Sequence, residues 1–227
     1  YIRKPGVIQR EWDLLRDYLF FKQRYRFLKE GSRNADPAKK VLVVSLTDWI
    51  AQVKMEAMLA KALQLRGYTP VIVTHSCCQQ AIKYFKVFGY DQFIFFDQLI
   101  EAIPESSLNG EATALLNGKP SFRSLPNFKY RDVHVGKHVL STIVRSLRNG
   151  SVEFSDPQVL KLLKQWLPQA MRATLAGELL LDQIKPQIAL FLEKGYLQCG
   201  EIFDLAVNRG INTIQFLHSH RSDALAL

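Results

Sequence analysis

The chain is poor in what several protein classes require. Its 227 residues contain three cysteines, Cys77, Cys78 and Cys199. That is too few for a disulfide framework, and an adjacent pair rarely bridges to itself, so a reducing compartment is expected. The cysteine and histidine spacings are read as offering no zinc site. Apolar runs stay short. The best, at 188–192, has the length of a strand, well under the roughly 18 residues a membrane-spanning helix needs. The opening Tyr1-Ile2-Arg3-Lys4-Pro5 lacks the apolar core of a signal peptide. A cytoplasmic protein is expected, with peripheral attachment at the inner membrane face left open.

What is present suits a folded core. Hydrophobic residues make up 48% of the chain and charged ones 22%, which excludes a disordered tail or a coiled coil. The net charge of +9 is uneven: residues 1–40 hold 11 Lys and Arg against 5 Asp and Glu, a net +6. A basic arm on a nearly neutral domain fits this better than a whole-surface nucleic-acid binder, and no nucleic-acid partner is expected. Residues 11–30 read as an amphipathic helix with Trp12, Leu15, Tyr18, Leu19, Phe20, Phe21, Tyr25, Phe27 and Leu28, interleaved with Arg16, Lys22, Arg24, Arg26 and Lys29. Two readings stay open. The helix could lie in the headgroup layer of an anionic membrane, or pack Trp12, Leu15 and Leu19 on the domain with its basic face in water. Residues 31–40 read as a polar linker, which sets 1–40 apart from a domain over 41–227.

From residue 41 strands and helices alternate. Short β-type runs at 41–45, 70–74 and 92–96 are separated by helical stretches at 50–66 and 79–88 that stop at Gly67 and Gly89. Residues 101–135, rich in Pro, Gly and Asn, read as an irregular insertion with a short hairpin. Helices at 137–148 and 157–183 follow, then a strand at 187–192, a helix at 201–209 closed by Gly210, and a strand at 212–217. The expected fold class is α/β: a Rossmann-like parallel sheet flanked by helices, preceded by the N-terminal amphipathic helix.

In such sheets ligands gather at the carboxyl ends of the strands. Those ends supply Ser45, Thr47 and Asp48; His75 and Ser76; Asp97; Glu193, Lys194 and Tyr196; and His218, Ser219, His220 and Arg221. The turn after the first strand, Ser45-Leu46-Thr47-Asp48-Trp49, has no glycine, so a dinucleotide is not expected there. A P-loop and a Gly-x-Ser-x-Gly elbow are also missing. Asp48 can act as a general base or cap the helix starting near Trp49, and Asp97 carries the same ambiguity. Glu193 with Lys194 is a surface turn or a cleft carboxylate with a charge partner. The His218-Ser219-His220-Arg221 cluster can bind an anionic group or be solvated, and metal binding by these histidines, or by His75 with Cys77 and Cys78, is not expected.

Residues 41–67 followed by Tyr68-Thr69-Pro70-Val71-Ile72-Val73-Thr74, and Glu193-Lys194-Gly195-Tyr196 followed by 200–210 and Ile211-Asn212-Thr213-Ile214-Gln215-Phe216-Leu217-His218, resemble the N-terminal domain of GT-B-fold glycosyltransferases of capsule and other surface-polysaccharide biosynthesis. The chain departs from a frequent pattern of that family in lacking a glycine-rich loop after the first strand and in placing Ser219 after His218. The resemblance implies an acceptor-binding half of a longer enzyme, inactive alone, acting on a glycan or lipid-linked acceptor. No cofactor is expected on this domain, and the nucleotide-sugar donor is expected on a C-terminal domain outside this chain. Asp48 or His218 is then the expected base, with Thr47, Glu193, Tyr196, His220 and Arg221 holding the acceptor. A sugar-nucleotide epimerase-like half and a non-catalytic binding module remain as alternatives.

Overall fold

The structure, a computed structural model, describes residues 5–30, 35–104, 106, 108–118, 121–150, 152–218 and 225–226. Five parallel strands form the central sheet: β1 (Lys40–Val44), β2 (Thr69–Thr74), β3 (Phe93–Phe95), β4 (Ile188–Phe191) and β5 (Asn212–Gln215), in the spatial order β3-β2-β1-β4-β5. The sheet is buried on both faces, so its strands alternate between two cores rather than between core and water. Along β1, Leu42 and Val44 enter one core while Val41 and Val43 enter the other. On β4, Ala189 and Phe191 join the first and Leu190 the second.

One face is covered by α2 (Ile50–Leu65) and α3 (Gln79–Val87), with α1 (Pro5–Tyr25) laid on α3. The other is covered by α4 (Phe96–Glu101), α6 (Val135–Leu147), the long α7 (Pro157–Ile184) and α8 (Cys199–Asn208). Asp156 starts α7 by accepting a hydrogen bond from the Gln158 amide at 2.7 Å, with Pro157 in the first turn. Gly67 and Gly89 follow the ends of α2 and α3 at φ 89° each, the left-handed conformation expected of them.

The insertion is more ordered than its composition suggests. It contains α5 (Asn109–Asn117), a 3-10 turn at Leu125–Asn127 and a tight hairpin bridging Tyr130 and Val133. The two hairpin tip residues, Arg131 and Asp132, both have positive φ (50° and 63°), as a twisted two-residue turn demands. The expected last strand is cut short. β5 ends at Gln215, and Leu217–His218 (β6) instead pairs antiparallel with Leu225–Ala226 (β7).

The N-terminal helix also docks differently from the packed reading. Trp12, Leu15 and Leu19 stay exposed, while Tyr18, Phe21, Tyr25 and Leu28 meet the α3 side. Phe21 sits edge-on to Tyr84 and Phe88, and the Asp17 carboxylate accepts from Tyr84 Oη and Lys54 Nζ.

Candidate functional site

The strand order reverses direction between β1 and β4, and the crevice at such a switch point is where open α/β sheets hold ligands. Val44 and Phe191 are register partners there. The chain leaves β1 through Leu46 and Thr47 and leaves β4 through Glu193, opening a cleft of about 300 Å³ between the two exits. Thr47, Trp49 and Gln52 line it from the first exit, Glu193, Tyr196 and Gln198 from the second. His75 enters from the end of β2 and Arg145 from α6. A neighbouring hollow of about 520 Å³ shares Arg145, Glu193 and Tyr196 and adds Lys194.

Arg145 organises the rim. Its guanidinium lies 4.3 Å above the Tyr196 ring, a cation–π distance, and its Nη1 is 3.6 Å from Glu193 Oε1. Both Arg145 and the Trp49 ring are largely exposed. Thr47 Oγ1 accepts from the Trp49 amide at 3.1 Å, which fixes the turn but leaves the hydroxyl hydrogen able to donate. Burial lowers the proton affinity of His75, with the Asp97 charge and the Gln198 side chain opposing it, so its imidazole is neutral near pH 7.

A buried acidic layer lies behind the cleft. Gln52 Nε2 donates to Glu56 Oε1 at 2.9 Å. Glu56 is pushed up to about 7 by burial, against the Ser45 and Gln52 side chains, and the nearby Glu193 charge adds to the rise. Ser45 Oγ and Glu56 Oε2 face one another without well-formed hydrogen bonds. Glu201, fully buried in the first turn of α8, is likewise raised to about 7 by burial, while its carboxylate accepts from the Gln198 amide. Burial and the charges of Glu56, Glu201 and Glu193 push the Cys199 thiol up, which makes it a poor nucleophile.

The structure brings Thr47, Glu193 and Tyr196 together, as their strand-end positions implied. Asp48 is placed differently from the local cap expected of it. Its Oδ1 accepts from the Gln80 and Ala81 amides at 2.7 and 3.2 Å, so it caps α3 across the loop, while α2 begins at Ile50 without a side-chain cap. Asp97 holds the β2 exit in the same manner, accepting from the Ser76 amide at 3.0 and 3.1 Å and from its hydroxyl. His220, Arg221 and the His218 side chain lie outside the described residues.

Residues passed over at the sequence level lie behind the cleft lining, between α6 and α8. His134-x-x-x-His138 is a spacing that could have been noticed. Both rings meet Asp204 Oδ2, at 3.2 and 3.1 Å, and the His134 amide donates to the same oxygen at 3.0 Å. This clamp joins the start of α6, which carries Arg145, to α8, which begins at the cleft. Beside it Gly200 has no room for a side chain, since a Cβ would stand 2.2 Å from His138 Nδ1. Among the described residues, the ligand atoms close enough to share a metal ion are those of His75, Cys77 and Cys78, within 4.8 Å of one another. No described helix is long and apolar enough to cross a membrane. Comparison with protein-family models, with curated proteins and with solved structures finds no match.

Proposed function

We propose that the switch-point cleft binds a glycan, and that the chain is the acceptor-binding half of a sugar-nucleotide-dependent glycosyltransferase making cell-surface polysaccharide or glycolipid. The observation that carries this reading is the company the cleft keeps. Two aromatic rings, Trp49 and Tyr196, stand at its rim, and Thr47, Gln52, Glu193 and Arg145 supply donors and acceptors around them. Flat rings with convergent polar groups suit the alternating apolar faces and hydroxyls of a sugar. A glycine-free turn after β1 gives a pyrophosphate no cradle, which in this reading favours a donor site on another domain.

In this reading a cleft base takes the proton of an acceptor hydroxyl as its oxygen bonds to the anomeric carbon and the nucleotide leaves with the electron pair of the broken bond. His75, neutral and in the cleft, and Glu193, the carboxylate lining it, are placed for that role. Asp48, with two amides on one oxygen, shapes the loop instead. That same observation favours a second reading, a non-catalytic glycan-binding module.

Saturation-transfer NMR and Trp fluorescence with neutral and uronic-acid oligosaccharides test the shared claim. Saturable binding is expected, weakened about five- to tenfold by Tyr196→Ala or Trp49→Ala, the loss of one stacked ring being worth roughly 1–1.5 kcal/mol. No binding across the panel, or binding of the nucleotide-sugar in this cleft, would reject the reading. Turnover that falls in His75→Asn or Glu193→Gln within the complete enzyme separates the transferase from the module.

A further inference from the structure

Helix α1 has two apolar faces, and the domain covers only one. Phe21, 4% exposed, anchors the covered face against α3. The opposite face carries Trp12, Leu15, Leu19 and Phe20, the i, i+3, i+7, i+8 spacing of an apolar helix stripe, at 64%, 41%, 54% and 63% exposure. They surround a shallow hollow of about 450 Å³ with Arg16 and Gln23. Phe27, in the 3-10 turn Arg26–Glu30 that follows, is exposed as well.

Singly exposed apolar residues need no explanation, but four on one stripe of one helix mark a contact surface. Charge selects the partner. Arg10, Arg16, Lys22, Arg24, Arg26 and Lys29 are all exposed on this segment, against the exposed acids Glu11 and Asp13 among the described residues. Asp17, the remaining acid of α1, is tied to Lys54 and Tyr84. Two copies packed stripe to stripe would bring these cations together, which disfavours self-association. A negatively charged surface answers both features, accepting Trp, Leu and Phe at its boundary and neutralising Arg and Lys above it.

We propose that the Trp12–Leu15–Leu19–Phe20 face of α1 seats the domain on an anionic lipid bilayer. The helix then acts as an adaptor, with Phe21, Tyr18 and Tyr25 gripping α3 and the outer stripe entering the headgroup layer. This inference goes beyond the glycan reading and stands without it.

Flotation of the full chain with phosphatidylcholine vesicles, with and without phosphatidylglycerol, tests it. Association is expected with the anionic vesicles alone, falling as salt is raised. The double variant Trp12→Glu/Leu19→Glu is expected to lower the partition at least about tenfold while leaving the circular dichroism and the melting temperature unchanged, since both side chains are exposed. Arg16→Glu/Lys22→Glu should weaken it with the stripe intact. No association with anionic vesicles, equal association with neutral ones, or undiminished flotation of the Trp12→Glu/Leu19→Glu chain each overturns the proposal. So does a lipid-indifferent dimer, seen by light scattering, that the same double variant disperses.

Discussion

Replacing Asp204 by alanine should loosen the cleft from behind, and the size of the effect can be worked from its contacts. The carboxylate is 17% exposed and holds the His134 amide, the His134 ring and the His138 ring. Burial opposes its ionisation, but the bonds from His138 and His134 outweigh it and bring the group from 3.8 down to about 2. That fall corresponds to about 2 kcal/mol of stability at neutral pH. Truncation also leaves His138, 1% exposed, with an unpaired ring nitrogen, which adds about 1 kcal/mol. A loss of about 3 kcal/mol, or roughly 6–12 °C in melting temperature, is expected for Asp204→Ala, and less for Asp204→Asn, which keeps an acceptor oxygen. Because the folded value is depressed, the stabilisation is complete above the unfolded value near 3.8 and disappears as pH falls through about 2. Urea unfolding of the native chain and Asp204→Asn at several pH values follows this group together with His138, whose proton affinity the Asp204 carboxylate raises against burial. Their gap should shrink to about half by pH 3. A gap that is constant from pH 7 to pH 3, or an alanine variant within about 0.5 kcal/mol of the native chain, refutes the assignment.

Glu56 predicts the opposite sign. Its folded value is raised from 4.5 to about 7, so the fold favours the protonated acid and loses stability as pH climbs between those values. Glu56→Gln should match the native chain near pH 4 and exceed it by roughly 1–3 kcal/mol at pH 8 in the same urea titration. Asp48→Ala frees the Gln80 and Ala81 amides and should cost about 1 kcal/mol, read as a lower melting temperature. Gly136→Ala should be more severe, about 3 kcal/mol or beyond, because its Cβ would fall 1.9 Å from the Leu125 carbonyl oxygen, a backbone atom with little freedom to yield. Soluble yield and thermal unfolding check it, and a mild effect would mean that α6 can shift away from the Leu125 turn.

The sheet was legible because its signals are local. A strand buried on both faces must be a continuous apolar run, and Leu42, Val43 and Val44 read that way; a helix that ends in the left-handed conformation favours glycine, and Gly67 and Gly89 mark those ends. The face by which α1 docks was not legible. Both of its faces are aromatic, and the choice is made by Tyr84 and Phe88, which lie more than 50 residues away in the chain. The burial of Glu56 and Glu201 was hidden for a related reason. A glutamate in a polar-looking helical stretch is ordinarily solvated, and nothing local says that a sheet face or a neighbouring helix will close over it. Arg145 reaches the cleft only because α6 lies beside the β4 exit, a placement that no local signal around Arg145 announces.

The rule that points to strand ends identifies where polar groups gather, but it does not say which of them remain free for chemistry. Asp48, Asp97 and Asp204 each accept a backbone amide from another segment. For Asp97 and Asp204 such bonds, working against burial, hold the carboxyl below its ordinary range. A carboxylate stabilised as an anion by fixed amides is a strong clamp and a weak base, since taking up a proton forfeits the bonds that stabilise it. His75 is the reverse case. Burial keeps it neutral, and its Nε2, shielded from water, has no hydrogen bond of good geometry. The short loops between strands and helices therefore divide the labour. Aspartates hold the helix starts and strand exits in place, while His75 and Glu193, beside Arg145 and Tyr196, line the cleft.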